Sequence, residues 1–315
     1  MRVASFFSGI GGFDLGFQRC GHEIVFQCEI DSFCNRILQY HWPKTPRRAD
    51  IRRIDDVKDV PAADIWCAGF PCQDLSLALR TARPGLQGER SGLFYSLAKL
   101  IRQGGPDVVV IENVVGLLTS HEGRDFLTIL NALQECGYAV GWRVLNSQFF
   151  GLPQYRRRLY VIAWRGSPEK VAKVLFDADQ AGPHTATTRL ETLAPLKIAV
   201  GDESTGPAVQ KVAYCLAATA GRHTGNDWSR TYVAYPRAAR RLTPGEAERL
   251  QGFPTDWTKV NATVGDSRNS DSPRYAALGN AVSVSVAEWL ATRIAFVAGA
   301  KTGKSRVSRR RASVV

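Results

Sequence analysis

The sequence lacks most of the features that mark membrane, secreted or metal-binding proteins. It has no run of 18 apolar residues, so no transmembrane helix and no membrane partner are expected. The N-terminus enters an apolar segment directly and does not have the layout of a signal peptide. Seven cysteines at irregular spacing favour a reducing, cytoplasmic compartment. Without a Cys-x-x-Cys pair or a His/Cys cluster at ligand spacing, no metal site is expected.

The residues that are abundant indicate a basic globular protein. The chain has 315 residues, 44% hydrophobic and 22% charged, which is enough for one large domain and a smaller one. Its net charge is +12, and six of these charges lie in residues 301–315, which contain no acid. Residues 1–300 are therefore still basic, and this favours a polyanionic partner.

Short apolar segments alternate with helical segments in the first half of the chain. The apolar runs predict buried strands at 3–7, 24–28, 64–68, 107–111, 140–148 and 159–164. The intervening segments predict helices at 13–20, 32–40 and 91–103. This order predicts an α/β fold with a doubly wound, Rossmann-like sheet.

Residues 7–12 (Phe-Ser-Gly-Ile-Gly-Gly) form a glycine-rich turn between the first predicted strand and helix. Such a turn lets the backbone approach a ligand, but its spacing is not the full Gly-x-Gly-x-x-Gly and specifies no cofactor. After the second strand, Glu29 is placed to bind a ribose hydroxyl, whereas Asp31 is expected to cap the next helix. Asp50 and Ile51 are typical of a loop, and the alternative is that they bracket an adenine ring.

Residues 69–76 (Gly-Phe-Pro-Cys-Gln-Asp-Leu-Ser) follow a buried strand and place Cys72 just beyond its carboxyl end. Ligands bind at that edge in open α/β sheets. A cysteine is more often a buried structural thiol, but Cys72 has polar neighbours and is followed by Arg80, Arg83 and Arg90, which favour a thiolate. The polar segment 73–90 is expected to be a mobile loop of the kind that closes over an active site.

Two further charged groups lie at predicted strand ends. Glu112 follows the strand at 107–111 and is expected at the same sheet edge as Cys72, unless it is an ordinary exposed turn residue. Arg156, Arg157 and Arg158 precede the strand at 159–164, and they are either a solvated rim or part of a site. Residues 154–158 (Gln-Tyr-Arg-Arg-Arg) thus add a third candidate segment.

These segments, in this order, resemble the cytosine-C5 DNA methyltransferases. Gly-Phe-Pro-Cys-Gln at 69–73 resembles the nucleophile motif, Glu-Asn-Val at 112–114 the base-holding carboxylate, and 154–158 the family's Gln-x-Arg-x-Arg pattern. The acid common between the two arginines is Arg157 here, which is expected to point to solvent or phosphate. The resemblance implies that the catalytic residues are Cys72, Glu112, Arg156 and Arg158.

The resemblance also implies S-adenosyl-L-methionine as the cofactor. The Gly-Asn-Ala-Val run at 279–282 is expected to open a long apolar helix, reaching 297, that folds back against the first strand and completes the cofactor pocket. The residues implied to bind the cofactor are Phe7, Gly9, Ile10, Gly11, Glu29, Ile30, Asp50, Ile51, Pro71, Leu93, Asn280, Ala281 and Val282.

Residues 165–241 form a basic, irregular insert that matches the position of the family's target-recognition region. Residues 222–241 hold five arginines, one acid and three interleaved aromatic residues, a composition suited to phosphate and base-edge contacts. The alternative is a small β domain with a basic face. The residues expected to bind DNA are Gln73, Ser76, Arg80, Arg83, Arg222, Arg230 and Arg237.

The domain boundaries follow from these assignments. Residues 1–164 and 242–298 are predicted to form the catalytic domain, 165–241 the β-rich recognition region and 299–315 a disordered basic tail. Thr243, Pro244 and Glu246 predict a helix that starts with a capping box. It leads to residues 249–254, which resemble the family's segment that supports the recognition region.

The sequence therefore indicates a DNA (cytosine-5) methyltransferase of compact bacterial or phage type. Double-stranded DNA is its expected partner, the protein is expected to be a monomer, and a restriction endonuclease could be encoded separately. Three alternatives are an RNA cytosine methyltransferase of the same superfamily, a homologue that has lost catalysis, and a nicotinamide dehydrogenase. The last is favoured by the glycine turn alone and gives Pro71-Cys72 no role.

Overall fold

The structure is a computed structural model that describes residues 1–70, 93–177, 212–219, 231–235, 238–260 and 271–299. Its strands are β1 (Arg2–Phe6), β2 (Glu23–Cys28), β3 (Arg47–Arg48), β4 (Ile65–Ala68), β5 (Val108–Val114), β6 (Tyr138–Asn146), β7 (Arg157–Arg165), β8 (Tyr232–Tyr235) and β9 (Ala238–Arg241). Its helices are α1 (Gly12–Arg19), α2 (Ser32–His41), α3 (Leu93–Gly104), α4 (Arg124–Glu135), α5 (Pro168–Phe176), α6 (Pro244–Gln251), α7 (Asp271–Asn280) and α8 (Val284–Val297). Shorter 3₁₀ turns include Ile51–Arg53 and Ser147–Phe150.

Seven strands form one sheet in the order β3-β2-β1-β4-β5-β7-β6. The pairs from β3 to β5 are parallel, whereas β7 runs antiparallel to both β5 and β6. The α/β fold class predicted from the sequence is confirmed, with a sheet that is mainly parallel. Strands β8 and β9 form a separate antiparallel pair.

The central strands are mostly apolar because helices cover both faces of the sheet. In β1, Val3 packs in one hydrophobic cluster and Ala4 in the other, and in β4 the neighbours Cys67 and Trp66 divide in the same way. Successive side chains of a strand point to opposite faces, so one short run supplies both clusters. Helices α1, α2 and α8 contribute to the first cluster, and α3 and α4 to the second.

Local sequence signals place several elements correctly. Asp31 caps α2 by accepting a hydrogen bond from the backbone N–H of Cys34 at 2.8 Å. Thr243 and Glu246 form the predicted capping box at the start of α6, which has Pro244 in its first turn. No helix in the described part of the chain is long and apolar enough to cross a membrane.

The long apolar helix predicted to open at the Gly-Asn-Ala-Val run is present and ends at Val297, but it begins later than expected. The helix α7 ends at Asn280, and α8 begins only at Val284, with Ser283 as its N-cap. The intervening turn is held by Arg156, which donates hydrogen bonds to the carbonyls of Gly279 and Ala281.

Helix α8 returns to the start of the chain as expected, but it packs chiefly on α1 and not on the first strand. The approach is close because α1 has a glycine at the contact. A Cβ atom at Gly16 would lie 2.6 Å from the Cβ atom of Ala287.

Candidate active site and cofactor cleft

A cleft with a volume of about 470 Å³ lies along the carboxyl ends of β1, β2, β4 and β5. This is the sheet edge at which α/β folds bind ligands. The cleft brings together eleven of the residues predicted from sequence: Phe7, Gly9, Glu29, Ile30, Asp50, Ile51, Leu93, Glu112, Arg156, Arg158 and Asn280.

The glycine turn forms one wall of the cleft. Gly9 and Gly11 have φ angles of 56° and 85°, in the left-handed region that glycine adopts without strain. A Cβ atom at Gly11 would also lie 2.5 Å from the ring of Trp42. Phe7 has a φ angle of 55°, a conformation that costs a non-glycine residue about 1–3 kcal/mol and is often found at binding sites.

Four predicted cofactor residues do not line the cleft. Ile10 and Ala281 are buried in the apolar cluster, and Gly11 starts α1 as its N-cap. Val282 lies against the same helix, since a Cβ atom at Gly12 would lie 2.3 Å from its carbonyl oxygen. These residues support the wall of the cleft from behind.

Glu29 joins the glycine turn to the end of β2. Its carboxylate accepts hydrogen bonds from the backbone N–H groups of Gly9 and Asp31, at 2.7 and 2.8 Å. Burial raises the pKa of Glu29, although these two hydrogen bonds oppose the shift. Ile30 lies beside it and is 64% exposed, so an acid and an apolar group line the cleft together.

Asp50 provides a second carboxylate in the cleft. It caps the turn Ile51–Arg53 and pairs with Arg52, whose Nη2 lies 2.7 Å from Oδ2. The hydrogen bonds from Arg52 lower the pKa of Asp50, so the carboxyl stays ionised.

Asp14, a residue that the sequence analysis missed, lies buried under the glycine turn. Its carboxyl accepts hydrogen bonds from Ser5 Oγ at 3.0 Å and from Gln27 Nε2 at 2.8 Å. Gln27 Oε1 in turn accepts one from Arg47. Burial raises the pKa of Asp14 to about 6. Three polar residues inside otherwise apolar elements were the signal that could have identified this network.

The raised pKa of Asp14 gives a prediction about stability. Between pH 4 and 6 the folded protein binds more protons at this site than the unfolded chain, so the free energy of unfolding falls as pH rises. The loss is on the order of 3 kcal/mol, and Asp14→Asn should remove it. Urea unfolding of both proteins from pH 4 to 7 measures the difference. The exposed control Asp59→Asn should follow the wild type, and equal pH slopes for Asp14→Asn and wild type would contradict the assignment.

Glu112 and Arg158 form the charged end of the cleft. Ala68, the last residue of β4, pairs with Ile111, so Glu112 extends one residue beyond the end of that strand. Glu112 is 8% exposed, and its Oε1 lies 3.1 Å from Arg158 Nε. Burial raises the pKa of Glu112, and Arg158 and then Arg156 partly oppose this. The carboxyl group is therefore suited to keep or accept a proton.

The chain that leads to Cys72 passes directly beside Glu112. A Cβ atom at Gly69 would lie 3.6 Å from Glu112 Oε2, and Phe70 lines the same cleft. Nine predicted residues lie outside the described part of the chain: Pro71, Cys72, Gln73, Ser76, Arg80, Arg83, Arg222, Arg230 and Arg237. The expected loop 73–90 and the tail 301–315 lie there too.

Arg156 lies deeper in the protein than Arg158, and its hydrogen bonds join the segment 212–219 to the turn after α7. It is 1% exposed, and its guanidinium donates hydrogen bonds to the carbonyls of Leu216, Gly279 and Ala281 at 2.8–3.3 Å. These contacts are typical of a positioning residue, and a direct contact with substrate stays a prediction. Arg157 is exposed, as expected.

Comparisons with known proteins decide between the families that share this fold. The family of C-5 cytosine-specific DNA methylases matches residues 1–202 and 201–295. The chain belongs to this family. It is a DNA (cytosine-5-)-methyltransferase, and the recognition made from the sequence motifs is confirmed.

Two relatives of this methylase match over most of its length. The Type II methyltransferase M.NgoBI of Neisseria gonorrhoeae is 33% identical over 91% of this chain and 90% of its own. The Type II methyltransferase M2.BsuMI of Bacillus subtilis is 31% identical over 92% of this chain and 74% of its own.

Solved structures confirm the fold of the methylase. S. pombe Dnmt2 methyltransferase matches with a TM-score of 0.67 and 19% identity, over 94% of this chain and 98% of its own. A putative DNA modification methyltransferase encoded within an E. coli prophage matches with a TM-score of 0.62 and 18% identity, over 95% and 99%. At this identity the likeness concerns the fold alone.

Within the described residues, no group of three or more His, Cys, Asp or Glu side chains could hold a metal ion.

The methylase cleft also contains residues that the motifs did not indicate. The unpredicted cleft residues include Cys28, Phe33, Cys34, Arg52, Val114, Ser272, Pro273 and Ala276. Cys28 and Val114 end β2 and β5, Phe33 and Cys34 lie in the first turn of α2, Arg52 lies in the turn Ile51–Arg53, and the last three lie in α7.

Proposed function

We propose that this methylase transfers a methyl group from S-adenosylmethionine to C5 of a flipped-out cytosine, within a specific sequence of duplex DNA. The observation that carries the proposal is the cleft. Carboxylates and apolar groups suited to a cofactor lie along it, and the Glu112–Arg158 pair lies at its end, beside the chain that leads to Cys72.

The chemistry of the cleft residues fits S-adenosylmethionine. Glu29 and Asp50 can accept hydrogen bonds from ribose hydroxyls and an adenine amine, since the two oxygens of a carboxylate offer about four acceptor positions. Ile30 and Ile51 offer apolar contact to the rings, and the cleft volume lies within the range of small-ligand sites. When bound, the cofactor supplies the electrophilic methyl group.

The protein's own residues then account for activation of the base. Cytosine C5 is a weak nucleophile, and attack of the Cys72 thiolate on C6 forms an S–C6 bond whose displaced electron pair gives C5 enamine character. Glu112 hydrogen-bonds N3 and the exocyclic amine and favours protonation of N3 as charge builds there. Arg158 holds the O2 oxygen. After methylation, loss of the C5 proton and elimination of Cys72 restore the double bond.

The target base must leave the helix for this reaction, because C6 is stacked inside a duplex. We propose that the segment 73–90 closes over the flipped base and that the recognition region 165–241 reads the surrounding sequence. By analogy with the relatives named Type II methyltransferases, we also propose a monomer that acts in a restriction–modification system in the cytoplasm, with the nuclease encoded separately.

Methyl transfer to different nucleic acids tests this function. The purified protein with labelled cofactor should methylate duplex DNA, and bisulfite sequencing should place 5-methylcytosine at one short sequence. A tRNA substrate in the same assay serves as the comparison. Methylation of tRNA without methylation of DNA would overturn the proposal in favour of an RNA methyltransferase.

The cofactor assignment gives a separate prediction. Glu29→Ala and Asp50→Ala should each weaken binding of S-adenosylmethionine by about 0.5–1.5 kcal/mol, because each removes a hydrogen-bond acceptor from the cleft. Isothermal calorimetry measures the affinities, with Asp59→Ala as an exposed control expected to bind as the wild type does. Unchanged affinity in both cleft variants would show that the pocket has been assigned to the wrong residues.

A further inference from the structure

The segment 212–219 joins the recognition region to the catalytic arginines. Ala213 exchanges backbone hydrogen bonds with Pro153 and Tyr155, at 2.7 and 2.8 Å. The N–H of Leu216 donates to Gln154 Oε1 at 3.0 Å. These bonds fix the segment against the chain just before β7, and they carry Cys215 to the arginine cluster.

The sulfur of Cys215 contacts both arginines. Arg156 Nη1 lies 3.5 Å from Cys215 Sγ, and Arg158 Nη2 lies 3.9 Å from it. Arg158 Nε meets Glu112, and its Nη1 donates to the carbonyl of Arg157. Each nitrogen of the Arg158 guanidinium thus has a contact, and Cys215 supplies one of them.

The charges in this cluster explain what the sulfur contributes. Arg156 is buried and Arg158 half-buried, and Glu112 forms an ion pair with Arg158. The acceptors of Arg156 at Leu216, Gly279 and Ala281 are neutral carbonyls. A buried cation whose acceptors are neutral is costly, so a thiolate at Cys215 would place a negative charge beside Arg156.

We propose that Cys215 is a positioning residue for methylation, whose negatively charged sulfur holds the Arg158 guanidinium, and with it Glu112, in the orientation that receives the base. The role in catalysis rests on the proposed function, whereas the charge on the sulfur does not. Residues 212–216 are hydrogen-bonded to residues 153–155 of the catalytic domain and belong to the recognition region. A movement of the recognition region would therefore also move the contact to the arginines.

The other described cysteines provide an internal comparison. Burial alone would raise the pKa of Cys215, but Arg156 and Arg158 more than offset this and lower it. Burial raises the pKa of the Cys20, Cys28, Cys34 and Cys67 thiols. The residue as a whole is exposed, although its sulfur packs against the two arginines, so small reagents that attack thiolates can approach it.

Thiol labelling tests the charge without any assay of methylation. Cys72→Ser protein is treated with a limiting amount of iodoacetamide at pH 7, and peptide mass spectrometry follows each cysteine. Cys215 should react at least about tenfold faster than Cys20 and Cys136, the two partly exposed thiols. Labelling of Cys215 at or below the rate of Cys136 would overturn the proposal.

Single-turnover methylation tests the positioning role. Cys215→Ala should slow methyl transfer by about tenfold or more, since it removes a contact to a charged group, while cofactor affinity stays unchanged. Cys215→Asp, which restores a negative charge, should recover part of the rate, and the neutral Cys215→Ser should not. Cys136→Ala is the matched control and should behave as the wild type.

The outcomes distinguish failure of the proposed function from failure of the role proposed for Cys215. A wild-type protein that methylates no cytosine at C5 overturns the proposed function, and the labelling result then still decides the charge. Active wild type with full activity in Cys215→Ala, or equal recovery by serine and aspartate, overturns the positioning role. Equal melting temperatures of the variants, measured alongside, ensure that a slow variant is a folded one.

Discussion

Replacing Cys72 with serine is expected to reduce methyl transfer by at least about 10³-fold, while binding of S-adenosylmethionine stays largely intact. The thiolate is the nucleophile in the proposed reaction, and a serine hydroxyl has a much higher pKa and no base assigned to ionise it. In the proposed function the cofactor is held by other residues, at Glu29, Asp50 and the glycine turn, which line the cleft. Methyl incorporation and calorimetry measure the two properties separately.

Covalent trapping gives the sharper form of this experiment. DNA with 5-fluorocytosine at the target position has no proton to lose from C5, so the adduct with Cys72 should accumulate in the wild type and be absent in Cys72→Ala. Cys136→Ala, in which a partly exposed thiol is removed elsewhere, should trap DNA normally. A covalent complex in Cys72→Ala would exclude Cys72 as the nucleophile.

Glu112→Gln is expected to lower the single-turnover rate by about 10²–10⁴-fold, the usual contribution of a general acid or base. The amide keeps the shape of the side chain but cannot transfer a proton to N3. Burial raises the pKa of Glu112, so the protonated form persists to higher pH than for an exposed carboxyl. The wild-type rate should therefore fall on the alkaline side as Glu112 ionises, and the variant should lose this limb.

An exposed carboxylate gives the control for Glu112. Glu135 forms a surface ion pair with Arg102, at 3.5 Å, and Glu135→Gln should leave the rate unchanged. The pH profiles of the three proteins, measured with saturating cofactor, provide the comparison. A Glu112→Gln enzyme that keeps both its rate and its alkaline limb would show that the carboxyl group does not act on the base.

The cofactor cleft shows how much of the site could be predicted. Phe7, Gly9, Glu29 and Asp50 lie at strand ends that the apolar runs had located, and parallel strands bring their carboxyl ends to one edge. Their position could be predicted because each residue is close in sequence to a strand or turn that positions it, whereas their contact with the cofactor stays a prediction. The same argument placed Glu112 at this edge, next to the strand that precedes Cys72.

The end of the chain shows where sequence reasoning failed. The apolar run after residue 281 is a helix, but nothing local indicates that Ala281, Val282 and Ser283 form a break before it. The break depends on Arg156, which lies about 125 residues earlier and binds the carbonyls on both sides of Asn280. Asp14 was missed for a similar reason, since its partners Ser5 and Gln27 come from separate strands.

The sequence by itself determined the family to which the chain belongs. It also determined the elements that depend on interactions between residues close together in the chain. Apolar runs specify buried strands, Asp31 and Thr243 specify helix starts, and glycine is required where φ is positive. Only the tertiary structure decided the strand order, the antiparallel insertion of β7 between β5 and β6, and the joining of Arg156 and Arg158 to Glu112 and Cys215. These features depend on contacts between residues of different strands and loops, and such contacts leave no periodic or local pattern in the sequence.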